Sequence, residues 1–171
     1  MATLDLPILG AMTAPDNSGK VYFQPAEAAM TLGTAAFGTL LVLTMEAPAT
    51  AGDDGFYGKF NIPQNYSGTP VLVIRGAIAE AANVLGFGFQ QLSRADSELV
   101  DTALEAEDLA SNSIWTGYVA EDMYEETITI TPAAAYVAGD EVLFYFYRED
   151  GADTQTGDFH LTGLFFRYND A

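Results

Sequence analysis

The groups in this chain that could do chemistry are 24 carboxylates, one histidine and no cysteine, spread over 171 residues. Paired carboxylates can hydrolyse a glycosidic bond when held roughly 5 to 10 Å apart across a cleft. With 24 acids, some pair will meet any distance test, so solvated surface acids are the better reading. The single histidine, His160, falls inside a probable strand, and no Gly-x-Ser-x-Gly elbow exists to present a nucleophile to it. It reads as a strand residue with a partly packed ring. One His without Cys cannot furnish the usual nitrogen and sulfur ligands of zinc, and no phosphate-cradling Gly-x-x-x-x-Gly-Lys-Ser/Thr loop occurs.

Calcium is the one metal worth carrying. The stretch Asp150-Gly151-Ala152-Asp153-Thr154-Gln155-Thr156-Gly157-Asp158 offers Asp150, Asp153 and Asp158 as oxygen ligands. It lacks EF-hand spacing and the terminal bidentate Glu, and a hairpin loop with turn-forming aspartates competes with it. The expectation is a non-enzymatic chain without cofactor.

Charge narrows the partners. Six Lys plus Arg against 24 acids leave a net charge of -18. Nucleic-acid binding needs a basic footprint, which six scattered cations cannot provide. An aromatic content of 12% is too high for a disordered acidic tail. The longest apolar run, 35–45, is well short of the roughly 20 residues of a membrane helix. The opening Met1-Ala2-Thr3-Leu4-Asp5 lacks the positive charge of a secretory signal, so the expectation is a soluble chain made in the cytoplasm. Like charges repel, and screening tightens below about 8 Å as salt rises above physiological levels. Copies should therefore associate better at high salt.

These groups must be held by strands. Residues 1–33 are punctuated by Pro7, Pro15 and Pro25 and read as an extended N-terminal arm with one short strand near 20–24. Residues 34–171 read as one domain. Strands are predicted at 39–45, 56–62, 71–79, 84–94, 115–119, 125–131, 141–148 and 158–168, from period-two alternation between turn signals. Segment 97–110 fits a short helix or an acidic loop equally. Many strands and little helix predict an all-β fold, two antiparallel sheets packed face to face.

Two strands look apolar on both faces. In 141–148, Val142, Phe144 and Phe146 oppose Leu143, Tyr145 and Tyr147; in 158–168, Phe159, Leu161 and Phe165 oppose His160, Leu164, Phe166 and Tyr168. A sandwich buries one face of each sheet. The surplus predicts contacts to other chains through Tyr145, Tyr147 and Phe166, joined by the arm residues Leu4, Leu6, Ile8, Leu9 and Met12. Tyr118, Tyr124, Tyr145 and Tyr147 are also candidates for stacking a sugar.

The order Phe60-Asn61-Ile62-Pro63-Gln64-Asn65-Tyr66, Pro70-Val71-Leu72-Val73, Ala138-Gly139-Asp140-Glu141-Val142, Arg148-Glu149-Asp150, Asp153-Thr154 and Gly157-Asp158 resembles a jelly-roll domain of tailed-bacteriophage structural proteins. The likeness covers about residues 54–168 and rests on turn and strand signatures. It implies an eight-stranded jelly-roll-like antiparallel sandwich, homotrimeric assembly, no cofactor and no catalysis. Since packed DNA repels net -18, the expected place is the outer capsid surface. The expected role is a capsid decoration (cement) protein binding the major capsid protein and stabilising capsomer junctions. The alternative is a carbohydrate- or receptor-binding module of a head or tail fibre. A host surface glycan is the further candidate partner; no nucleic acid or membrane is expected.

Overall fold

The computed structural model describes residues 2–8, 24–25, 30–34, 41–45, 54–78, 84–95, 104, 108–109, 119, 122–132, 134–148, 153–154 and 156–171. Their strands are β1 (Thr3–Pro7), β2 (Gln24–Pro25), β3 (Met30–Thr34), β4 (Leu41–Met45), β5 (Asp54–Asn61) and β6 (Tyr66–Ile78). There follow β7 (Phe87–Arg94), β8 (Asp108–Leu109), β9 (Tyr124–Thr129), β10 (Glu141–Arg148) and β11 (Phe159–Asp170). The fold is all-β. Among the described residues no helix is long and apolar enough to cross a membrane.

Two antiparallel sheets result. Sheet A runs β3-β4-β11-β6-β9, with β1 also paired to β11; sheet B runs β2-β5-β10-β7-β8. Strands β4 to β11 supply β4-β11-β6-β9 in one sheet and β5-β10-β7-β8 in the other. From β4 to β11 every step changes sheet except β7 to β8. This is the jelly-roll order of two interlocked Greek keys. The first and last expected strands shift by only a few residues at their ends. The strand expected at 115–119 lies outside the described residues except for Val119. One edge strand of sheet B is β8, from the acidic segment 97–110 whose form the sequence left open.

Alternation fills the core. Phe56, Phe60, Phe87, Phe89, Val142, Phe144 and Phe146 line sheet B, and Leu72, Ile74, Ile78 and Ile128 line sheet A, all buried. Rings cross the interface, with Phe87 to Phe159 and Phe60 to Phe166 both 4.9 Å between centroids. Each such ring removes roughly 150 to 250 Å² from water, at about 25 cal/mol per Å².

Strand β11 overturns a strict two-residue period. Its register with β6 shifts between Leu161 and Gly163. The extra residue of a bulge turns the following side chains over. Leu164, Phe166 and Tyr168 therefore join Phe159 and Leu161 in the core, while Phe165 and Arg167 turn outward. The expectation that Phe166 contacts another chain is corrected: it is fully buried between the sheets.

The N-terminal segment is also corrected, because its first strand belongs to the domain. β1 pairs with β11, placing Leu4 opposite Tyr168 and Leu6 opposite Phe166. The Ile8 amide donates to the Leu164 carbonyl at 2.9 Å. Ile8 is in the core, which corrects its expected interface role, and half-buried Leu4 and Leu6 pack against that core. Pro7 is tolerated because it ends an edge strand, where no ladder donor is needed. The segment holds β1, β2 and most of β3 rather than one strand. Leu9, Met12 and positions 20–23 lie outside the described residues.

Candidate binding surface

Asp153 does not offer itself to calcium. Arg148 ends β10 on the inward phase, and its Nε and Nη2 donate to Asp153 Oδ2 and Oδ1 at 2.9 and 3.0 Å. Both side chains are wholly buried. Arg148 Nη1 donates to the carbonyls of Met45 and Gly157 at 3.2 and 3.1 Å, and the Gly86 amide donates to Asp153 Oδ2 at 3.3 Å. The guanidinium thus fills the place a cation would take on Asp153, which corrects its candidacy as a calcium ligand. Asp150 lies outside the described residues. Asp158 is half-buried, and no group of three or more His, Asp or Glu placed to hold a metal occurs among the described residues.

His160 lies at hydrogen-bond distance from Thr44, with Nδ1 3.2 Å from Oγ1. Burial holds its imidazole below the ordinary histidine range, opposed by the charge of Asp158. It is a packed strand residue.

The motifs that carry the phage likeness build joints. The Ile62 amide donates to the Asp140 carbonyl at 2.8 Å and the Gly139 amide returns to Ile62 at 2.9 Å, so the 63–66 loop and the 138–140 turn meet. Gly139 sits at φ +95°, a left-handed conformation that favours glycine. Asp140 Oδ2 accepts from the Val137 amide and the Ser93 hydroxyl, both at 3.2 Å. The Arg148–Asp153 pair is the second joint. These residues make strand ends meet.

The two outer faces of the sandwich differ. On sheet A, Arg167 grips Asp5 with Nε and Nη2 at 2.6 and 2.9 Å and reaches Glu125 at 3.1 Å. Arg75 donates to Glu125 at 2.6 Å and lies 4.6 Å from the Phe165 ring centroid. The arginine hydrogen bonds hold the Asp5 and Glu125 carboxyls below the usual carboxylate range. This network ties β1 to β11, β6 and β9.

On sheet B the outer row is aromatic. Tyr57 stacks on Tyr145 at 4.7 Å, and Tyr145 on Tyr147 at 4.7 Å. A Cβ at Gly88 would collide with the Tyr147 ring, so glycine there lets that ring lie flat on the sheet. Tyr147 is buried and Tyr145 half-buried, whereas Tyr57 is 48% exposed. Beside the row, Lys59 Nζ and Arg94 Nη2 both bind Glu141, at 3.0 and 3.2 Å. Lys59 first and Arg94 second lower the Glu141 carboxyl below its usual range.

The expected contact residues therefore separate. Burial of Tyr147 within its own chain corrects its expected role as an interface or sugar platform. Tyr145 is in the row and partly exposed. Tyr124 is half-buried on the other sheet, its hydroxyl accepting from the Val119 amide at 3.0 Å, and Tyr118 lies outside the described residues. Sequence reasoning missed Tyr57. The signal was present, since Tyr57 alternates with the core residues Phe56 and Phe60 and falls opposite Tyr145 in register.

No family model matches the chain, and no curated protein matches it. Among solved structures, it is similar to part of an arabinose-bound α-L-arabinofuranosidase, with TM-score 0.52, 11% identity and 95% of this chain covered. The chain spans only 26% of that enzyme, and at this identity the likeness shows the fold alone. The cleaved adhesin domain K3 of Lys-gingipain from Porphyromonas gingivalis aligns over 98% of this chain and 100% of its own, at 11% identity and TM-score 0.43.

Proposed function

We propose that the chain is a non-enzymatic virion structural protein that decorates the outer surface of a tailed-phage capsid, contacting the major capsid protein at capsomer junctions. One observation carries the outward placement. Of six Lys and Arg, the five among the described residues all bind carboxylates of their own chain. The acidic surplus therefore sets the exterior charge, which is repulsive toward packaged DNA. The jelly-roll order and the resemblance of the joint residues support the virion assignment. The arm does not, so truncating residues 1–17 would damage sheet A rather than isolate particle binding.

The test is co-sedimentation of the full chain with purified particles, followed by electron microscopy. Saturable binding with density at capsomer junctions is expected. Absence of the protein from capsids across a salt series would overturn the proposal. Light scattering over the same series should give three copies per particle in solution, rising with salt. A second reading, a carbohydrate-binding module of a head or tail fibre, is favoured by the partly exposed Tyr57–Tyr145 pair. Density on a fibre instead of the shell would select it.

A further inference from the structure

We propose that this sandwich carries a built-in opening seam along one side, where β8 of sheet B meets β9 of sheet A. The buried amide of Gln91 makes that side the one to part.

Gln91 follows Phe87 and Phe89 on the inward phase of β7 and stands opposite Phe144 in register. The residue is 1% exposed, and neither Nε2 nor Oε1 of its amide has a hydrogen-bond partner. Its two ring neighbours, Phe89 and Phe144, stack on each other at 5.6 Å. A carboxamide offers two donors and an acceptor, which water satisfies and phenyl rings do not. Ser93 and Arg148, the other polar side chains described on this inner face, are provided for. Ser93 donates to Asp140 Oδ2 at 3.2 Å, and Arg148 binds Asp153 and two carbonyls. A sealed amide without partners penalises the closed state, and any motion that lets water reach it recovers that cost.

Ladder pairing does not distinguish the two sides of sheet B. β5 and β7 flank β10, each pairs with it over all eight residues, and each has a two-residue strand on its far edge. Their inner rows differ. β5 presents Phe56, Gly58 and Phe60, whereas β7 presents Phe87, Phe89, Gln91 and Ser93. Sheet A differs in the same sense. β4 brings Leu43 and Met45 to the core, but the inward row of β9, Tyr124, Glu126 and Ile128, has a half-buried carboxylate at its centre. Because β8 touches β9, Gln91 and Glu126 belong to one side of the sandwich. Water entering there meets polar groups on both sheets; entering beside β5 it meets rings. Opening is therefore a local step that frees β8, β9 and the inner row of β7 while β5, β10 and β11 stay packed.

Native-state hydrogen exchange on the full chain, resolved by residue, tests this. Ladder amides of β7 and β9 should exchange about tenfold or more faster than those of β5, and with a weaker denaturant dependence. Gln91→Met removes the amide at nearly constant volume. It should slow exchange in β7 and β9 by about tenfold and raise the melting temperature by about 2 °C or more. Gln91→Leu repeats the test with a different side-chain shape, and Gln90→Met, on the outer phase, should change neither reading. The proposal is overturned if β7 and β9 are as protected as β5, or if Gln90→Met acts like Gln91→Met. It is equally overturned if both Gln91 variants exchange as the parent does or melt lower, which would give the amide a partner in the closed state.

Discussion

Two arginine–aspartate pairs in this molecule have nearly the same geometry and very different surroundings. Arg148 holds Asp153 through bonds of 2.9 and 3.0 Å, and Arg167 holds Asp5 through bonds of 2.6 and 2.9 Å. Side-chain exposure is 0% for both members of the first pair, and 27% and 29% for the second. By bond length alone the outer pair would rank as the stronger. Solvent reverses that order. Water and salt screen the outer charges, while the inner ones have lost hydration and depend on one another and on the backbone carbonyls they bind. The inner pair is a fastener between sheets, reaching from β10 of sheet B to the Met45 carbonyl of β4 in sheet A. The outer pair mainly sets which way β1 lies.

Removing one partner of the inner pair should break the comparison open. Asp153→Ala leaves a buried guanidinium without its counter-charge, and about 3 to 5 kcal/mol of stability should disappear in chemical denaturation. A loss below about 1 kcal/mol would mean that water reaches Arg148 and the contrast is false. The double change Arg148→Met with Asp153→Leu should recover most of that loss, because apolar replacements carry no desolvation penalty.

The outer pair should respond mildly. Asp5→Ala is expected to cost about 0.2 to 1 kcal/mol at physiological salt. The cost should shrink toward nothing at 1 M salt, where the screening length is about 3 Å. Persistence at that salt would show that β1 depends on the pair for more than charge.

Acid provides the finest discrimination. Hydrogen bonds from Arg167 and Arg75 hold the Asp5 and Glu125 carboxyls below the usual carboxylate range in the folded state. A depressed carboxyl stabilises the fold fully above its unfolded pKa, and that contribution fades as pH falls through the lower folded value. Thermal melts should therefore weaken below about pH 4, and Asp5→Asn should flatten part of that slope. An identical slope in the variant would assign the acid sensitivity to other carboxylates.

Much of the fold was legible because the core obeys simple alternation. Val142, Phe144 and Phe146 on β10 and Phe87 and Phe89 on β7 point inward as their spacing demands. Gly88 leaves room for the ring of Tyr147. The misreadings have physical causes. A bulge between Leu161 and Gly163 changes the phase of β11, and no single-strand periodicity announces it. Leu4, Leu6 and Ile8 alternate with Asp5 and Pro7 as a strand should, but the prolines nearby weighed more heavily than the period. The Arg148–Asp153 pair looked like a metal loop because spacing along the chain shows the carboxylates and hides the cation five residues away that folds back on them. Tyr57 became a candidate only when register set it beside Tyr145.

One edge of β11 is shared end to end, with β4 along Phe159–Leu161 and β1 along Phe165–Asn169. Were β1 to peel away, a bare rail of amides and carbonyls would open beside half-uncovered aromatic rings, ready to template any extended peptide that drifted past. The five residues of β1 thus act as a selvedge that keeps the woven cloth from catching on its neighbours.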